Sequence, residues 1–224
     1  MTEKNFSAER MDELIRSAVG DCDLTSREIP NIDLYVDQIL TLVSDKNAES
    51  SQRYHENHLT KTMINNYSKE GLISSIKGKK YTKEHIVQIL LIYALKNSLS
   101  IGEINRLIQG VYREGFDGAR LTDCYDRFIE MKDVERQRAK ECATSLVADA
   151  GLDLDDREDF CVALLSIVSL SSYLKAIAEE MLCARYPVPE DLKAEEKTKA
   201  KAKNEEEKKE KEKEKAKSKA KDGR

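Results

Sequence analysis

The sequence has no tryptophan, only three prolines and nine glycines in 224 residues. With so few breakers, and with Lys, Glu, Leu and Ile abundant, the chain reads as mainly helical. It has no CxxC spacing. Its five cysteines (Cys22, Cys124, Cys142, Cys161, Cys183) are scattered and odd in number. They read as reduced, buried or semi-buried thiols and leave no metal-sensing cluster. It also lacks GxxxxGK[ST], GxGxxG and HExxH, and no Ser/His/Asp set can be picked out. The expectation is therefore no enzyme, no cofactor and no metal site. His55 and His58 stand three apart, but without a third ligand they read as loop histidines. The longest apolar run, 160–170, is interrupted by Ser166 and Ser169 and is too short to cross a bilayer. The residues after Met1 are polar and charged, unlike a secretory signal. A soluble, cytoplasmic protein with no membrane partner is expected.

Charge is abundant but unevenly placed. The 38 Lys/Arg and 42 Asp/Glu leave a formal net charge of −4. Residues 189–224 hold 14 Lys/Arg and 11 Asp/Glu, so residues 1–188 are net −7. Within that acidic body, 53–85 is net +4 and holds all three histidines. An acidic body with one basic face is compatible with nucleic-acid binding; a uniformly acidic one is not. The 189–224 tail has almost nothing apolar and reads as a low-complexity, disordered segment.

The apolar periodicity predicts an order of helices. Met11, Leu14, Ile15, Ala18 and Val19 give an amphipathic helix over 8–19, ended by Gly20. Pro30-Asn31 starts a second, with Asn31 as N-cap. Residues 44–57 read as a long exposed loop. Residues 59–70 form the next helix. Its inner face carries Leu59, Met63, Ile64 and Tyr67; its outer face carries Lys61, Thr62, Asn65, Ser68 and Lys69, with no acid. Gly71 stops it. Leu72, Ile73 and Ile76 then suit short strands around a basic turn, Lys77-Gly78-Lys79-Lys80.

Thr82 caps a helix apolar almost all round (82–97), which predicts a central, buried element. Ser100 and Glu103 form a capping box with Leu99 and Ile104 as staple, and that helix ends near Gly115. A long charged helix (121–150) and a densely apolar one (156–185) close the chain as an antiparallel hairpin, a coiled-coil-like pair. The last helix either fills the core or forms a homodimer interface.

Residues 63–73, the Lys/Gly turn, Tyr81 and 98–104 resemble the DNA-binding half of MerR-type regulators, a winged helix-turn-helix. The stretch 29–104 is more closely similar to the bacterial family "domain of unknown function 1836", through the runs LTKTMINNYSKEGLI and KGKKYTKEHI. The resemblance covers about 25–110. It implies a MerR-like fold and double-stranded DNA as partner. Position by position, the MerR helix Arg falls on Asn65 and its first Tyr on Asn66, while the second Tyr is kept as Tyr67.

The expected organisation is an N-terminal helix (1–24), a winged helix-turn-helix domain (25–118), a helical hairpin (119–188) and the tail (189–224). The expected function is transcription regulation, with 59–70 in the major groove and the Lys-rich turn on phosphate. The assigned DNA-contacting residues are Lys61, Thr62, Asn65, Asn66, Tyr67 and Lys69 on the helix, and Lys77, Lys79, Lys80 and Tyr81 on the wing. The alternative is a helical protein-interaction adaptor that does not bind DNA.

Overall fold

The computed structural model describes residues 6–56, 58–76 and 78–188. Among them are seven α-helices and a two-stranded sheet. The tail and Lys77 lie outside the described residues. The chain divides after Met181 into two units. The described part of the second is the last turn of the final helix and residues 186–188.

Helix α1 spans Ala8–Ala18 and is capped by Ser7, whose Oγ accepts from the Arg10 N–H. Gly20 follows where the chain meets Ser51; a β-carbon there would lie 2.9 Å from Ser51 Cβ, so only hydrogen fits. Strand β1 is Leu34–Tyr35, and α2 spans Val36–Asn47. The expected start at Pro30-Asn31 is corrected: Ile32 is 66% exposed, and Leu34 turns into the core as a strand residue. The Gln38 side chain, not Asn31, caps the entry, accepting from the Tyr35 N–H at 2.9 Å. The expected loop over 44–57 is also corrected, because α2 runs to Asn47 and Gln52–Tyr54 forms a 3-10 turn. Ser50 is buried there, its hydroxyl accepting from the Cys22 N–H at 2.8 Å.

Helix α3 is Lys61–Lys69, strand β2 Lys80–Tyr81, α4 Lys83–Leu95 and α5 Ile101–Arg113. α6 is Gly118–Asp149 and α7 Arg157–Arg185. The core gathers around α4. Ile86, Val87, Ile89 and Ile92 are fully buried, with Ile39 of α2, Ile64 of α3, and Ile104 and Ile108 of α5 around them. Apart from Ala94, exposed near its C-terminal end, the helix is buried or half-buried on every side, as its near-continuous apolar run requires. α6 packs against α4 through Leu121 and Tyr125. The capping box expected at Ser100 is present, with Glu103 Oε2 accepting from the Ser100 N–H at 2.8 Å.

The first half of α6 is tied to the segment after α1. Tyr125 donates to the Leu24 carbonyl at 2.6 Å, and Arg136 reaches Asp21 at 3.0 Å and Asp23 at 2.6 Å. Lys132 pairs with the same two acids. Burial opposes the charge on Asp21, but hydrogen bonds from Arg136 and Lys132 outweigh it and hold its carboxyl below the ordinary range. A depressed folded-state pKa gives stability that is complete above the unfolded value and lost as pH falls through the folded one. Urea midpoints should therefore drop as pH falls below about 4, with a shallower drop for Asp21→Asn. Equal slopes in both proteins would remove this network from the acid response.

α7 is not a core helix. Leu164, Leu165, Val168, Tyr173, Leu174 and Met181 are all more than half exposed, and in the first unit only Ala163 is buried. By length and composition it is long and apolar enough to cross a membrane. All five cysteines are free thiols as expected, but the expected burial holds only for Cys22, which is half-buried. Cys124, Cys142, Cys161 and Cys183 are exposed, because the two long helices that carry them are largely solvated.

Candidate nucleic-acid interface

α3 begins at Thr60, whose Oγ1 accepts from the Met63 N–H at 3.2 Å. Its end is built around Gly71 at φ +69°. There the Gly71 N–H donates to Ser68 O and the Leu72 N–H to Tyr67 O, so the carbonyls of the last turn are satisfied and the chain turns sharply. Leu72 and Ile73 then enter the core. Gln109 of α5 donates to the Gly71 carbonyl at 3.3 Å, fixing the end of α3 to the next helix pair.

This geometry orients the side chains of α3. Ile64 and Tyr67 are buried and Met63 is half-buried, while Lys61, Thr62, Asn65, Asn66 and Lys69 face solvent. Lys61, Lys69, Lys79 and Lys80 make no ion pair among the described residues. Elsewhere Lys46 pairs with Glu28 and Glu49, and Lys140 with Asp12. The outer face of α3 thus presents two unpaired ammonium groups and two amides on a rigid helix.

The segment after α3 differs from the expected wing. Leu72, Ile73 and Ile76 form no strands, and β2 pairs antiparallel not with them but with β1, Leu34 opposite Tyr81 and Tyr35 opposite Lys80. The physical reason is the buried Gln88. Its Oε1 accepts from the Ser74 N–H at 3.0 Å and the Ser74 hydroxyl at 3.1 Å, and its amide donates to the Tyr112 hydroxyl. The segment is bound to α4 by a side chain and has no partner strand of its own.

Nine of the ten assigned residues are described, Lys77 lying outside the described residues, and these nine divide. Lys61, Thr62, Asn65, Asn66 and Lys69 share one exposed helix face. Lys79, just before β2, and Lys80, its first residue, are exposed, with Lys80 Nζ 5.2 Å from the centroid of the Tyr35 ring. Tyr67 and Tyr81 are in the core. Burial raises the Tyr67 hydroxyl's pKa, with a smaller contribution from the nearby Tyr93. Sequence reasoning missed Gln88. The signal available was one polar side chain inside the apolar run 86–95. No group of His, Cys, Asp and Glu among the described residues could hold a metal ion, and His55 is bonded to the Ser50 carbonyl instead.

Residues 24–128 match a family model described as Domain of unknown function (DUF1836). The match ends at Phe128 within α6, so it takes in Tyr125 and Asp126, which bond to Leu24 and Ser26. No curated protein and no solved structure matches the chain.

Proposed function

We propose that the DUF1836 domain formed by residues 24–128 is a MerR-like helix-turn-helix variant that binds double-stranded DNA, with α3 as its recognition helix. The observation that carries this reading is the outer face of α3: five exposed polar residues, two of them unpaired lysines, no acid, and a rigid apolar inner face. Asn can bond an adenine edge bidentately, and Lys reaches guanine or phosphate. Asn65 and Asn66 are the base-reading candidates; Lys61 and Lys69 grip at either end of the helix. Lys79, just before β2, and Lys80, its first residue, contact flanking phosphate in place of a hairpin wing.

Binding of random duplexes should weaken steeply between 50 and 200 mM salt, with a slope set by a few phosphates. Lys79→Ala combined with Lys80→Ala should weaken binding to all sequences about equally and lower the salt slope by about two. A change in sequence preference would place these lysines on bases instead. No retardation of any duplex at low salt would favour the adaptor reading, in which the same scaffold binds protein.

The second element of the proposal is a homodimer through α7. Its apolar side chains are exposed around most of the helix, more than a solvated monomer surface usually carries. The start of the apolar stretch is held at the protein body, and further along the helix passes near α5. Phe160 stacks edge-on against Phe6 at 5.3 Å, and Lys175 lies near enough to Glu103 to help lower its pKa, behind the Ser100 hydrogen bonds. That placement favours a second protein copy over lipid. A two-fold dimer also presents two recognition helices to a two-fold site.

A further inference from the structure

A cavity of about 140 Å³ opens between the segment after α1, the ends of α2 and α4, and the middle of α6. It is far from the outer face of α3 in chemistry, because its walls combine aromatic rings with one uncompensated charge. Tyr54, Tyr93 and Tyr125 supply rings, and Leu24, Val43 and Leu90 supply apolar surface. Most of the charged groups around it are already neutralised. Asp21 and Asp23 are held by Lys132 and Arg136, and Lys46 is held by Glu28 and Glu49.

Lys96 is the exception. It lines the cavity and makes no ion pair among the described residues. Its Nζ sits 4.2 Å from the centroid of the Tyr93 ring. Partial burial disfavours its charge and lowers its pKa. The Tyr93 face compensates only in part, because a cation–π contact is weaker than a desolvated ion pair. The groups that could compete for Lys96 are engaged elsewhere: the Tyr125 hydroxyl donates to Leu24, Tyr93 is bonded to Asn47, and Ser50 accepts from Cys22.

We propose that this cavity is a binding site for a small aromatic carboxylate, with Lys96 pairing with the carboxylate and the tyrosine rings enclosing the flat apolar body. The volume is close to that of an engineered lysozyme cavity that admits benzene, which sets the size of the ring. One unpaired ammonium matches one carboxylate better than a doubly charged phosphate. The mixture of an apolar enclosure and a single convergent charge is the ordinary composition of a small-molecule site. The site does not depend on DNA binding. Its Tyr93 wall nonetheless lies near Tyr67, the inward ring of α3.

The test is calorimetric titration of the full chain with benzoate, using benzyl alcohol and inorganic phosphate as controls. Benzoate should bind, with benzyl alcohol and phosphate each at least about tenfold weaker, since the alcohol lacks the charge and phosphate the apolar body. Lys96→Met should weaken benzoate by about tenfold or more while leaving the melting temperature unchanged. Ala94 is exposed on the cavity rim, so Ala94→Phe should fill the space and remove binding without disturbing the core. The proposal fails if benzoate produces no saturable heat up to millimolar concentration. It also fails if Lys96→Met keeps the affinity, or if benzyl alcohol or phosphate binds as tightly.

Discussion

Replacing Lys61, Asn65 and Lys69 together with Glu should abolish DNA retardation while leaving the helical circular dichroism unchanged. All three side chains are exposed on the outer face of α3 and none contributes to the core. The change turns a +2 face into a −3 face. Each lost phosphate contact removes one increment of counterion release, and each new carboxylate adds repulsion. The expected loss is roughly a hundredfold or more at low salt, and larger in the specific complex than in the non-specific one. A duplex that is still retarded with unchanged affinity would move the interface off α3. The stability cost should be small, since surface substitutions away from caps and buried networks usually stay within about 0.5 kcal/mol. Thr60, which caps the helix, and Gly71, which ends it, are untouched.

The parts of this fold that could be read from sequence are those fixed by short-range chemistry. The Ser100–Glu103 box requires only residues three apart and is present as expected. The central burial of α4 follows from an apolar run that leaves no polar face, and its first turn follows from Thr82. The positive-φ Gly71 ends α3 for a reason local to one turn. What failed was non-local. β1 and β2 are two residues each and pair across the whole of α2 and α3, so neither has a periodicity to detect. Leu72 and Ile73 have the composition of strand residues, yet they bury in an irregular segment, because Gln88 supplies the hydrogen bonds a strand partner would have given.

The same distinction applies to the candidate interface. The outer face of α3 is a consequence of helical geometry, so four of its five exposed residues, Lys61, Thr62, Asn65 and Lys69, were legible from spacing; Ser68, expected beside them, is half-buried and bonded to the Ile64 carbonyl, and Asn66 came from the resemblance. Tyr67 and Tyr81 came from the resemblance, and the structure places both rings in the core. A resemblance conveys residue identity but not side-chain exposure. Burial is decided by what packs above the ring, and for Tyr67 that surrounding includes Tyr93 of α4. The pocket at Lys96 was invisible for a related reason. Its lining comes from four separated stretches of chain.

Leu164→Glu combined with Val168→Lys should convert a dimer to a monomer without unfolding the protein. Leu164, Leu165 and Val168 fall within about 100° of one another on α7, forming one outward stripe, and all are more than half exposed. The Glu–Lys pair at i, i+4 supports the helix while placing two charges in the contact. Each leucine or valine buried across a dimer is worth about 1.5–3 kcal/mol, and two-fold symmetry counts every change twice. The dissociation constant should therefore rise by at least about a hundredfold in sedimentation equilibrium. Affinity for a two-fold DNA site should fall with it, because the second half-site contact is no longer intramolecular. Retention of the dimer would place the interface elsewhere on the body. A wild-type chain that is monomeric across the micromolar range and co-sediments with lipid vesicles would instead assign α7 to a membrane surface, and the dimer would be withdrawn.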